Sequence, residues 1–341
     1  MKIIRRLSSL RLTLASMLAL GIGVLVRYFD QATPDAWMTL PLLLLALNLV
    51  AALLVNQQFR RQPALLLFHV CLLAFVLLAA GSQLGSLQGR LEITEGQVFS
   101  PAALNVVRQG AWHPWQRLED VSFEQGALSI DYNPGIKRGR TSSRLLLKDG
   151  PQGRNETVIG DNTPFEAGGY RFYTTSNKGY SAIIAWVNKA GRELTGAVNF
   201  PSYPVNDWQQ LNEWTSPAGE TLKLELLIQE RPSYTQPWKL ESGSASVSLH
   251  VTVDGKILTL DPGEHVMVGN NALRFEAVRL WMGYEVRYEP LLPWMFAIAL
   301  IGVLALAWHF QRRLSIQLPD TGMTHRHRQK ERQHAVGIPQ L

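Results

Sequence analysis

Residues 59–95 read FRRQPALLLFHVCLLAFVLLAAGSQLGSLQGRLEITE. Two arginines, Arg60 and Arg61, precede an apolar run over 64–87, which opens into polar, strand-like sequence. A run of about 20 apolar residues is long enough to cross a bilayer as a helix. Inside it, near the basic end, sits His69. An ionisable ring within a span is costly and marks a functional site by default. Working outward, three further apolar runs cover 10–26, 37–55 and 291–310. The first follows Lys2, Arg5 and Arg6 but shows no small-residue cleavage pattern, so it reads as a retained anchor rather than a signal peptide.

Charge orients the spans. The N-terminal tail carries four basic residues (Lys2, Arg5, Arg6, Arg11) and no acid. The turn between the second and third spans carries Arg60 and Arg61, and the tail over 311–341 is basic. The segment over 88–290 carries 20 basic and 23 acidic residues. By the positive-inside rule, both termini are expected in the cytoplasm and the long segment on the far side of a bacterial inner membrane. The chain's surplus positive charge thus reports topology in a lipid bilayer, and no nucleic-acid partner is expected.

The segment over 88–290 reads as β. Runs such as ALSIDY, YRFYTTS, TLKLELLIQ and SASVSLHVTVDG are rich in β-branched and aromatic residues and are split by turn signals at 133–135 and 253–255. The fold class expected is an integral membrane protein of four helical spans plus an exported all-β, sandwich- or barrel-like domain between spans three and four. The stretch 200–241, rich in proline and tryptophan, reads either as an irregular contact surface or as a loop folded onto the β domain. Spans two and three, joined by a short turn, are expected to be antiparallel neighbours. Asn48 is positioned to bond a neighbouring helix, and Gly81 with Gly85 to admit a close backbone.

Chemistry is sparse. The sole cysteine, Cys71, lies in the third span, so the β domain can form no disulfide and no CxxC or CxxCH site. No GxSxG elbow, HExxH helix, phosphate loop or dinucleotide fingerprint occurs. Imidazole is a common metal ligand and an axial ligand of haem iron. His69 therefore reads in two ways: as a ligand flanked by porphyrin-compatible apolar side chains with Arg60 and Arg61 near enough for the propionates, or as a histidine bonded across helices. Cys71 falls on another helix face and is not expected to share the metal. His309 reads most simply as interfacial. His113, within Trp112-His113-Pro114-Trp115, fits a porphyrin lining and a loop surface equally. His325, His327 and His334 lie in a tail read as solvated or lipid-facing.

Several stretches resemble one family. FHVCLLAFVLLAAGSQLGSLQGRLEITEGQVF resembles the histidine-bearing third span of the ResB (CcsB) family of System II cytochrome c biogenesis, with the Gly/Glu segment that follows it. NTPFEAGGYRFYTTS resembles a family strand pair, with Thr174 where glutamine is usual; SSRLLLKDG and the run from ALRFEAVRL to AWHFQRR resemble later strands and the closing span. The resemblance implies a subunit of a cytochrome c synthetase. With a CcsA/ResC-type partner it would carry haem b across the membrane and position it for attachment to the CxxCH of apocytochrome c. It implies His69 as one axial ligand of haem iron, the second coming from the partner, and leaves open whether the chain takes any catalytic part. The chain is shorter than many members and lacks a tryptophan-rich partner half, so the partner is expected as a separate protein. The competing expectation is a membrane tether whose β domain scaffolds an envelope complex without cofactor.

Overall fold

The computed structural model describes residues 2–30, 34, 36–147, 155–205, 208–229, 231–243 and 245–317. The Arg60 side chain and the tail histidines His325, His327 and His334 lie outside the described residues. The chain divides into a helical unit, running to Leu84 and resuming at Leu291, and a β unit over Gly85–Pro290.

The helices of the first unit are α1 (Lys2–Leu7), α2 (Leu10–Phe29), α3 (Ala36–Val55), α4 (Gln57–Arg61), α5 (Pro63–Gly85) and, beyond the β unit, α7 (Leu292–Gln317). Four of them, α2, α3, α5 and α7, are long and apolar enough to cross a membrane. Their ends follow local chemistry. The Ser9 side chain accepts a hydrogen bond from the Leu12 N–H at 3.3 Å and caps α2. The Asn56 side chain does the same for α4 through the Gln58 N–H. Pro63 takes the first position of α5, where its missing N–H costs nothing. Outward faces remain apolar: Leu18, Leu25, Leu54 and Phe296 are each 60 % exposed or more, a surface suited to lipid.

Small and polar residues set the helix contacts. Gly23 lies so close to the start of α3 that a Cβ there would meet the Trp37 carbonyl oxygen at 2.6 Å. Only glycine permits that approach. Asn48, buried in α3, donates to the carbonyls of Leu7 and Ser9 and accepts from the Thr13 hydroxyl at 2.8 Å. It thereby fastens α3 to α2 as a polar residue in a span is expected to do. The closest packing among these helices is α2 against α3, rather than the expected α3 against α5. The glycine contact of α5 also differs from expectation. A Cβ at Gly302 of α7 would meet the Cys71 Cβ at 3.3 Å, whereas Gly81 faces only the Leu291 side chain and Gly85 has open space. A small residue helps only where a partner backbone arrives.

The β unit is antiparallel throughout. Its strands in the seven-stranded sheet are β1 (Leu87–Thr94), β2 (Asn105–Gln109), β6 (Phe165–Ala167), β7 (Tyr170–Val187), β8 (Glu193–Asn199), β14 (His265–Val268) and β15 (Asn271–Tyr288). The order is β2-β1-β15-β7-β6, with β14 also on β15 and β8 also on β7. A second sheet runs β11 (Trp238–Glu241), β3 (Phe123–Asn133), β4 (Lys137–Leu147), β5 (Asn155–Gly160). A third runs β13 (Lys256–Leu260), β12 (Val247–Val253), β10 (Thr221–Ile228), β9 (Leu211–Thr215). The one α-helix of the β unit among the described residues is the short α6 (Gln116–Glu119), beside a 3₁₀ turn at Pro101–Ala103. The long strands β7 and β15 pair from Ala272↔Val187 to Tyr288↔Tyr170 and form the spine. Asp254 and Gly255 both take positive φ in the turn between β12 and β13, as Asp-Gly hairpin chemistry requires.

One core runs through all three sheets, with Phe123, Phe172 and Phe275 fully enclosed. The proline- and tryptophan-rich stretch packs against it. It contains β9, β10 and β11; Trp208, Trp214 and Trp238 pack on the core, and Trp238 stacks on Tyr132 at 4.2 Å. The folded-on reading is met by these rings, whose burial on the core is favourable; Val205, Leu211 and Tyr234 of the same stretch stay exposed.

Between β1 and β3, Glu95 is buried. Its carboxylate accepts the Leu128 N–H of β3 at 2.7 Å, the Leu280 N–H of β15 at 3.3 Å and the Ser242 hydroxyl beyond β11. Its carbonyl accepts from Arg279 at 2.8 Å. Gly96 follows at φ 82°, with the Arg279 guanidinium where a Cβ would be. A second tie is a closed ring of hydrogen bonds. Ser143 lies 2.6 Å from the Tyr284 hydroxyl, Tyr284 donates to Gln125 at 2.6 Å, and Gln125 donates back to Ser143 at 2.9 Å. Glu95→Ala strands two main-chain donors in the core and is expected to cost about 2–5 kcal/mol. In the detergent-solubilised full chain this should appear as a lowered denaturation midpoint of the β signal in circular dichroism, with the helical signal lost separately; an unchanged midpoint would refute the role.

Candidate functional site

His69 lies on α5, six residues beyond Pro63, or about 9 Å along the axis. Its Nδ1 is 2.8 Å from the carbonyl oxygen of Leu65, one turn earlier. A carbonyl only accepts, so in the neutral ring Nδ1 carries the proton and Nε2 keeps its lone pair. That is the tautomer of a metal-ligating histidine whose second nitrogen is fixed by a backbone oxygen. The ring packs against Phe59 (centroids 4.5 Å) and edge-on against Phe68 (5.2 Å), and it is half-buried. Phe59 is itself buried. The bond across helices that formed the alternative reading is absent from the described contacts; the ring is tied within its own helix.

Of the residues expected beside it, Arg61 is exposed at the head of α5. It lines a cleft of about 680 Å³ at the basic ends of α5 and α7, with Pro63, Trp308, His309, Arg312 and Arg313. Arg312 lies over the Trp308 ring, 5.5 Å from its centroid. His309 is thus brought together with Arg61, a juxtaposition the sequence did not reveal because 248 residues separate them. Cys71 is buried against Gly302 and faces neither group. Among the described residues no cluster of three or more His, Cys, Asp or Glu could hold a metal by itself.

The histidines of the β unit take structural places. His250 is 3.6 Å from Glu225 across the β10–β12 pair, and His265 is exposed on β14. His113 is buried among Trp115, Tyr170 and Tyr288. Its Nδ1 faces the Gly85 carbonyl at 3.3 Å and its Nε2 accepts the Tyr170 hydroxyl at 2.8 Å. Arg117 donates to the Tyr288 hydroxyl at 2.9 Å. The cage is filled by its own aromatic rings. Burial lowers the His113 pKa from 6.5, against the opposing pull of the Gly85 carbonyl. Lys178, also buried and unremarked in the sequence, has its pKa lowered to about 8 by burial and by Arg138; it lies 6.0 Å over the Tyr132 ring.

A family model matches residues 52–255, from the last turn of α3 through His69 to the β12–β13 turn, more than half of the chain. The chain belongs to the ResB-like family. Its ResB-like character bears out the resemblance seen in the third span and the strands, and supports a role in cytochrome c biogenesis. No curated protein shows a significant match. Among solved structures, the cytochrome c haem lyase CcmF aligns with 88 % of this chain and 34 % of its own, at 14 % identity and a TM-score of 0.28. The ResB-like chain thus spans about a third of the length of that lyase.

The His113 cage has a pH signature. The folded state disfavours the protonated ring, so the unfolded chain binds the proton first, near 6.5. Stability is then complete above pH 6.5 and falls on acidification from 6.5 to the lower folded pKa. The difference in denaturation midpoint between wild type and His113→Asn, followed across that window, is expected to narrow as pH falls. A constant difference would show that His113 does not titrate with folding.

Proposed function

We propose that this chain is a haem-handling membrane subunit of cytochrome c biogenesis, with His69 as one axial ligand of the iron. The observation that carries the reading is the Nδ1 contact to the Leu65 carbonyl, which leaves Nε2 with its lone pair. The neighbouring Phe59 and Phe68 supply an apolar, aromatic wall suited to a porphyrin face. Haem b is here cargo rather than a resident group. Six-coordinate iron needs a second axial ligand. No other described histidine accompanies His69, so that ligand comes from a separate membrane partner of CcsA/ResC type.

Topology completes the reading. The basic residues at both ends of the chain and at the α4–α5 turn support, by the positive-inside rule, termini in the cytoplasm of a bacterium and the β unit beyond the inner membrane. His69 then lies near the cytoplasmic surface, where newly made haem arrives. Arg61, with Arg60 next to it in sequence, would be available to pair with the propionates. The attachment itself adds a cysteine S–H of the apocytochrome CxxCH across a haem vinyl group: a C–S bond forms, the hydrogen passes to the other vinyl carbon, and nothing leaves. This chain need supply no acid or base to that step. Holding haem and thiol together supplies proximity and orientation.

His69→Ala should lower the Soret absorbance of the complex purified with its partner and abolish cytochrome c assembly in cells, and added imidazole should restore both. His69→Ala with a full haem load and normal assembly would sink the ligand assignment and leave the β unit as a scaffold on a membrane tether.

A further inference from the structure

We propose that the cleft at the basic ends of α5 and α7 is a porphyrin carboxylate site, in which Arg61, His309, Arg312 and Arg313 receive the two propionates independently of the iron. The proposal deepens the haem-handling reading and rests on it. Three observations carry it.

The first is charge. Three guanidinium groups line one cleft, and no acidic residue is among the described residues lining it. Arg61, Arg312 and Arg313 are all exposed. Like charges held together repel, and an oxyanion pair relieves that repulsion. Guanidinium forks bind carboxylates through two parallel N–H···O bonds, which makes them the favoured partners of such groups. His309, Arg312 and Arg313 stand at positions i, i+3 and i+4 of α7 and so share one helix face. The second observation is shape. The cleft volume of about 680 Å³ falls within the roughly 300–1,000 Å³ of small-molecule sites. Trp308 and Pro63 give it an apolar side on which a flat ring can lie. The third is position. Pro63 opens the span of α5 and Arg313 ends that of α7, so the cleft sits where hydrocarbon gives way to water. An amphiphile with an apolar body and two carboxylates at one edge matches that boundary. A phospholipid headgroup presents a single phosphate and no planar face, and uses less of what is there.

Iron-free protoporphyrin separates this site from His69, because it has carboxylates but no metal to ligate. The full chain, reconstituted in phosphatidylcholine nanodiscs, would be titrated with protoporphyrin IX and with its dimethyl ester, read by porphyrin fluorescence anisotropy. The diacid is expected to bind at least about tenfold more tightly than the ester. Arg312→Gln with Arg313→Gln should weaken the diacid roughly 10- to 100-fold and shift the ester little. Phosphatidylglycerol in the discs should leave diacid binding in place. Equal binding of acid and ester, or wild-type affinity in the double variant, would overturn the proposal. Abolition of diacid binding by phosphatidylglycerol would also overturn it and assign the cleft to lipid headgroups. The haem Soret band, recorded in parallel on the wild-type chain, reports iron ligation. Either reading can thus fail while the other holds.

Discussion

The Glu95 carboxylate sits where two sheets of the β unit meet and takes hydrogen bonds from both. Leu280 belongs to the spine strand β15 and Leu128 to β3 of the second sheet. A buried charge is tolerated only when its oxygens are occupied, and here main-chain N–H groups and the Ser242 hydroxyl occupy them. The segment around it continues the joint: the Gly96 and Gln125 N–H groups bond across to the Gln125 and Gln97 carbonyls, and Phe99 bonds to Phe123. The Tyr284–Ser143–Gln125 ring ties the same two sheets further along. Polar ties of this kind add direction to an aromatic core that by itself would accept several registers.

The helical unit is built on the opposite plan. Its polar groups are few, and the ones in place are fixed within it: Asn48 to the start of α2, His69 to its own helix. Its outer faces are apolar, and among the described residues no cluster of three or more His, Cys, Asp or Glu occurs in it. His69 spends Nδ1 on the Leu65 carbonyl of its own helix, which keeps the ring oriented. The same unit carries a basic cleft at one end, lined by Arg61, His309, Arg312 and Arg313.

The division between legible and illegible features follows the range of the interactions. Four spans could be read from composition, because in hydrocarbon a helix satisfies its own backbone and only length and apolarity matter. The antiparallel β unit could be read from alternation and from turn chemistry such as Asp254-Gly255, which are local. His69 could be singled out because an imidazole in a span is itself an anomaly. Trp208, Trp214 and Trp238 left two readings open, because exposed and half-buried tryptophans look alike until strands β9 to β11 are placed. Gly81 and Gly85 misled for a similar reason: a small residue permits a close contact but does not choose the partner that makes it.

The sequence by itself determined the membrane class, the β class and the one ionisable residue at depth, all consequences of how each short stretch partitions between water, lipid and core. Only the tertiary structure decided the rest. It set the tautomer of His69 through a carbonyl one turn away, and it buried Glu95 against residues 33 and 185 positions distant. It also gathered Arg61 with His309, Arg312 and Arg313 in one cleft. The Glu95 joint and the cleft depend on where remote backbones come to lie, and a single side chain carries no record of that.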